Sequence, residues 1–145
     1  MSAKIKMTGS VEAYLVQAER DIRGNVDKAI TQSAFLVKLK AQKNIQSGQR
    51  SGRKYKRGKS GIIGQRSAQG EFPKSDTGIL ARSITTVSKM KGEAIVGTDI
   101  KYGEYLENKD PSKGGRPWLE PSFDQVEPKI KVLIQKAVKE GAMPK

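Results

Sequence analysis

Between residues 10 and 45 the apolar side chains Val11, Leu15, Ala18, Ile22, Val26, Ile30, Ala34, Val37, Ala41 and Ile45 recur at steps of three or four. Because a helical turn takes 3.6 residues, that spacing lines them along one stripe of an α-helix. Thr8 or Ser10 can cap its start. Glu12 and the run Glu19-Arg20-Asp21 supply acid toward the N-terminal end, and Lys38, Lys40 and Lys43 supply base toward the other, the arrangement a helix dipole favours. The pattern predicts one helix over 10–46, weakest at Gly24-Asn25. At 1.5 Å per residue such a helix is roughly 54 Å long. A chain of 145 residues forms one modest core, which is too small to cover it, so the excess is expected to pack on a neighbour.

The remainder alternates between irregular and regular stretches. Residues 47–76 are rich in Gly, Ser, Lys and Arg, without periodicity, and read as a long loop or a hairpin around Ile62-Ile63. So long an excursion from a compact domain is usually functional or disordered, and a role in assembly is expected here. Residues 80–90 and 93–98 are rich in β-branched side chains and flank Lys91-Gly92, which predicts an antiparallel hairpin. Over 101–108 a short helical turn places Tyr102, Tyr105 and Leu106 on one side. A C-terminal helix is predicted over 121–140, a pattern that Pro128 either interrupts or, as the alternative, opens as the true first turn. The expected fold is α+β in a single domain over 1–145. A long N-terminal helix (10–46) and a C-terminal helix (121–140) pack on a small antiparallel β-sheet with a short helix (77–120), joined by a long basic loop (47–76). The expected core is Leu80, Ile84, Val96, Tyr102, Tyr105, Leu106, Trp118, Leu119 and Phe123.

The chain contains no Cys and no His. Disulfides, thiolate nucleophiles and Cys-ligated zinc are therefore excluded, and the side chain most used for proton transfer near neutral pH is missing. No metal or cofactor is expected, and most hydrolase designs are disfavoured. The first nine residues lack the apolar stretch of a secretory signal, and no later run approaches the ~20 apolar residues of a membrane span. The expectation is a soluble product of the cytoplasm.

Formal charge is +13, unevenly spread. Eleven cations and no carboxylate lie between Lys28 and Gly70, whereas the rest of the chain sets 17 cations against 15 carboxylates. Arg50, Arg53, Lys54, Lys56, Arg57, Lys59 and Arg66 surround Tyr55 within this block, and are the candidate contacts to DNA or to a partner. Such a block is drawn to nucleic acid or to an acidic protein face, or serves only to keep a loop solvated.

Other constellations carry less. Gly58-Lys59-Ser60 ends like a phosphate-binding loop, but Arg53 stands where the opening glycine belongs. Glu104 and Glu107 lie one helical turn apart, with Asp110 following, and read as solvated or salt-bridged carboxylates with Arg116 a candidate partner. Trp118, the single tryptophan, reads as a core or interface anchor.

Three ordered segments carry a likeness: Ser51-Gly-Arg-Lys-Tyr-Lys-Arg57, Arg66-Ser-Ala-Gln-Gly-Glu-Phe-Pro73 and Asp76-Thr77-Gly78-Ile-Leu80-Ala-Arg-Ser83-Ile84. They are followed by Val96-Gly-Thr98, Tyr102-Gly-Glu-Tyr105-Leu-Glu107 and Arg116-Pro117-Trp118-Leu-Glu-Pro121. Taken in order, the set resembles the tail-completion and head–tail connector (neck) family of lambda-like, long-tailed bacteriophages, over nearly the whole chain. Gln69 replaces that family's usual proline, Gly103 its usual alanine, and Asn108-Lys109 its usual Gly-Thr.

The resemblance implies a non-enzymatic virion assembly component, a neck or tail-terminator subunit at the head–tail junction, made in the host cytoplasm. It would act in a homo-oligomeric ring, a hexamer or dodecamer, against tail-tube and head-connector proteins, with genomic DNA in the channel. The alternative is a nucleic-acid-binding protein using the basic segment 38–66. A carboxylate-pair enzyme built on Glu104 and Glu107 is the third reading.

Overall fold

The computed structural model describes residues 9–73, 78–89 and 91–143. Helix α1 spans Gly9–Ser47, uninterrupted at Gly24-Asn25. A first hairpin follows, with β1 Lys54–Arg57 antiparallel to β2 Ile62–Gln65 across a 3-10 turn, Gly58–Ser60. Short helix α2, Ile79–Ser83, leads into a second hairpin of β3 Thr85–Lys89 and β4 Glu93–Gly97. Helix α3, Lys101–Asn108, and the final helix α4, Leu119–Ala142, complete the fold. It is α+β, with the long helices at the two ends of the sequence. The strands form two separate two-stranded sheets rather than one.

Helices α1 and α4 run antiparallel. Asn44 Nδ2 donates to Ser122 Oγ (3.0 Å) at one end, and Asn25 Nδ2 reaches Ala137 O (3.4 Å) further along. Beyond that, Gly141 lies so close to α1 that a Cβ there would sit 2.7 Å from Ile22 Cα. Helix α4 therefore covers α1 only as far as about Ile22. The 12 residues of α1 before Asp21 extend past it by roughly 18 Å. Their apolar side chains Val11, Tyr14, Leu15 and Val16 are 43–50% exposed.

The core forms where α1 ends. Ala41 and Ile45 from α1 meet Leu80, Ala81, Ile84, Leu106 and Trp118, with Phe72, Val96 and Leu119 packed around them. This arrangement explains why 80–83 is helical, although its β-branched flanks predict a strand. Leu80, Ala81 and Ile84 fall on one helical face and bury against α1. Gly78 starts the turn at φ 74°, a conformation that favours glycine. Only Thr85–Lys89 of the predicted 80–90 strand is extended, and buried Ile84 is the joint between α2 and β3. Met90 lies outside the described residues.

Three members of the expected core lie at the surface instead. Tyr102, Tyr105 and Phe123 are 58%, 52% and 42% exposed. On α3 only Leu106 and Gly103 are buried, so the helix points its tyrosines away from the core. Pro128 does not open the last helix, which begins at Leu119, nine residues earlier. The N–H that Pro128 lacks would have reached the Asp124 carbonyl. Asp124 and Pro128 are both exposed, so water can satisfy that carbonyl and the helix continues.

Candidate functional site

Several of the residues marked by the sequence converge on Trp118, which is 2% exposed. Its indole Nε1 donates to Gly103 O (2.9 Å). A Cβ on Gly103 would stand 2.7 Å from both Leu80 Cδ1 and Thr98 Cγ2, so α3 reaches the core only because residue 103 lacks a side chain. Ser83 Oγ donates to Leu80 O (2.7 Å) and shares a hydrogen bond with Thr98 Oγ1 (2.6 Å), which ties α2 to the end of β4.

Glu107 is not a solvated carboxylate. Its Oε2 accepts the backbone N–H groups of Trp118 (2.6 Å) and Leu119 (2.9 Å), and its Oε1 accepts that of Glu120 (2.9 Å). These are donors that the start of α4 leaves without intrahelical partners, and a negative charge there also complements the helix dipole. Arg116 does not pair with Glu104 or Glu107. Its backbone N–H donates to Leu106 O (2.8 Å), and its guanidinium donates to Gly115 O (2.7 Å) and Ser67 O (3.3 Å). Arg116 thereby connects the base of the first hairpin to the turn before α4, with half-buried Pro117 beside it. Asp110 closes that turn by accepting from Ser112 N and Oγ, bonds that hold its carboxyl below the usual carboxylate range. Of the motif residues, Asp76 and Thr77 lie outside the described residues.

The basic segment is an ordered hairpin. Lys54 pairs with Gln65 and Tyr55 with Gly64, and Gly58 (φ 56°) and Gly61 (φ 69°) supply the turn. The Tyr55 ring covers Gly64 so closely that a Cβ there would lie 2.7 Å from Cζ, a cross-strand arrangement in which the aromatic fills the space a side chain would take. Arg66 stacks over the same ring, 5.3 Å from its centre. Arg50, Arg53, Lys54, Lys56, Lys59 and Arg66 are exposed. Strand alternation puts Lys54 and Lys56 on the face opposite Tyr55.

Glu71 holds the base of this hairpin, a role the motif reading does not assign. It accepts from Ser51 N (3.1 Å) and Ser51 Oγ on the incoming arm and from Ala68 N (2.7 Å) on the outgoing one. The Ser51 hydroxyl, then the Ala68 and Ser51 amides, with Arg116 nearby, keep its pKa below the ordinary 4.5. One sequence signal was present: Glu71 is the first carboxylate after a stretch from Lys28 that has none.

Two surface grooves stand out. An apolar one of about 590 Å³ lies between α1, β4 and α4, lined by Ile30, Val37, Val96, Leu119, Phe123 and Ile134 among others. The second, about 580 Å³, lies between the first hairpin and α3. Tyr55, Tyr102 and Tyr105 line it with Arg66 and Arg116, and among the described residues no carboxylate does. Lys109 stands over the Tyr105 ring, 4.5 Å from its centre, and its ammonium bonds the phenol oxygen. Glu104 does not line the groove, because it stands two residues after Tyr102 on the same helix and two residues turn a side chain to the far side. Among the described residues no group of three or more potential ligands could hold a metal ion, and no helix is long and apolar enough to cross a membrane.

Comparison of the chain with protein-family models, curated proteins and solved structures gave no match.

Proposed function

We propose that this protein is a non-enzymatic structural subunit of a tailed-phage head–tail junction, completing or terminating the tail and joining it to the head within a homo-oligomeric ring. The observation that carries the assembly reading is the uncovered end of α1. Val11, Tyr14, Leu15 and Val16 are about half exposed on a stretch of helix that extends beyond its own core. Ordering such a segment is worthwhile if a second surface buries it. The apolar groove between α1, β4 and α4 offers a different surface of matching chemistry. One heterologous contact of this kind, repeated around an axis, closes a ring.

The phage assignment rests on the ordered motifs from Ser51 to Pro121. It makes the tail-tube and head-connector proteins the partners, six or twelve copies the ring size, and the virion the destination. Light scattering and electron microscopy of the purified protein, alone and with tail-tube and connector proteins, test it. Rings or tail-end caps are expected, and Leu15→Asp should reduce them to smaller species with the circular-dichroism spectrum unchanged. A chain that stays monomeric with every partner overturns the reading.

A further inference from the structure

We infer that the groove between the first hairpin and α3 binds single-stranded nucleic acid, with bases on Tyr102 and Tyr105 and phosphates on its arginines. It lies near the other end of α1 from the uncovered helix, and the inference stands apart from the assembly reading.

The tyrosines supply the first argument. Tyr102 and Tyr105 are more than half exposed although a packed core is close by. They lie one helical turn apart on the same side of α3, and Tyr55 lines the groove with them. The exposed rings of Tyr102 and Tyr105 are platforms for flat, apolar ligands, whereas Tyr55, half-buried against Gly64 and stacked by Arg66, forms the groove's wall.

Charge narrows the ligand. Arg66 and Arg116 line the groove, Lys109 stands over Tyr105, and no carboxylate among the described residues lines it. The nearby acid, Glu71, already accepts from Ser51 and Ala68. Arg116 uses its guanidinium on two carbonyls, which leaves N–H groups of its five for a ligand. The cations of the hairpin's outer face lie close enough to add to the attraction at low salt. A ligand with flat rings and regularly spaced negative charge answers both requirements. A duplex keeps its base faces stacked on one another, so the unpaired strand fits the tyrosines better. The groove's volume falls within the range of small-ligand sites, room for a short stretch of strand.

Fluorescence anisotropy with a labelled oligothymidylate of about 20 nucleotides, and with a duplex of the same length, tests this over roughly 50–200 mM salt. The single strand should bind more tightly, with affinity falling as salt rises. Tyr102→Ala should weaken it about tenfold with little change in salt dependence. Arg66→Ala should make the slope of log affinity against log salt shallower by about 0.7. Lys54→Gln with Lys56→Gln, on the other face of the hairpin, should cost less than Tyr102→Ala. Circular dichroism confirms that each variant is folded. Binding that favours the duplex, ignores Tyr102→Ala and collapses with the lysine pair would place any contact on the outer face and overturn the groove assignment. Absence of binding at about 50 mM salt would overturn it outright.

Discussion

Glu107 in α3 accepts the backbone N–H of Trp118 at 2.6 Å, and the same carboxylate takes up the next two amides of α4. The side chain that begins the last helix thus comes from the helix before it, across the Lys109–Pro117 connection. Two elements that share few other polar contacts are locked at a fixed angle, and Trp118 is delivered into the core as a result.

Replacing Glu107 with Ala leaves three helix-start amides to water or to nothing. The expected cost is about 1–2 kcal/mol, comparable with loss of a strong N-cap. For a chain of this size that lowers Tm by about 3–6 °C. Glu107→Gln keeps acceptor oxygen but loses the charge and should fall between the two. Thermal unfolding followed by circular dichroism measures both, and a Glu107→Ala protein as stable as the parent would remove the capping role.

Trp118 reports on the core by itself, being the single tryptophan. Buried to 2% exposure, it should emit at short wavelength in the folded protein and shift to the red on unfolding. Trp118→Phe loses the bond to Gly103 O and part of the packed volume, and should destabilise by about 2–3 kcal/mol in a urea titration.

How much of this the sequence discloses depends on how many turns a pattern has to repeat. The stripe from Val11 to Ile45 repeats often enough to place α1 within a residue at either end. Lys91-Gly92 locates the second hairpin because Gly92 takes φ 73° there, and Asp27 Oδ1 of α1 accepts its amide (2.6 Å). Helix α2 is too short to show a period, and Ile84 and Thr85 beside it argue for strand, so tertiary burial of Leu80 and Ala81 decides the matter. Tyr102, Tyr105 and Leu106 form one stripe on α3, but a stripe does not say which of its members faces the core. Here Leu106 and Gly103 do, and the tyrosines are left to line a groove. Glu71 and Glu107 act on amides 3–20 residues away, a relationship that spacing alone does not encode.

The clamp at Glu71 gives the first hairpin a pH dependence. Its folded pKa is lowered, so the stabilising contribution is complete above the unfolded value of 4.5 and is lost as pH falls below it through the folded value. The amides of Ser51 and Ala68 should accordingly lose protection, measured against the intrinsic exchange rate at each pH, as pH falls below 4.5 and through the folded value. In Glu71→Gln the same amides should show no such acid-induced step. Hydrogen exchange read residue by residue separates this local opening from global acid unfolding.

Gly103 sets two effects of known size against each other. Gly103→Ala would gain up to about 1 kcal/mol of helix propensity. Against that, the new methyl would stand 2.7 Å from Leu80 Cδ1 and Thr98 Cγ2, and overpacking of this kind costs about 1–3 kcal/mol. Leu80 can shift its far end, but Thr98 is held by Ser83 Oγ and by the Ile100 amide (3.2 Å), both through Oγ1. Rotating its methyl away would break bonds worth about 1 kcal/mol each. The substitution should therefore be destabilising by about 1–2 kcal/mol in urea unfolding. Thr98→Ser keeps the hydroxyl and removes the methyl, so in the double variant part of the Gly103→Ala cost should disappear. A double-mutant cycle with no such coupling would show that the methyl of Thr98 is not what limits residue 103.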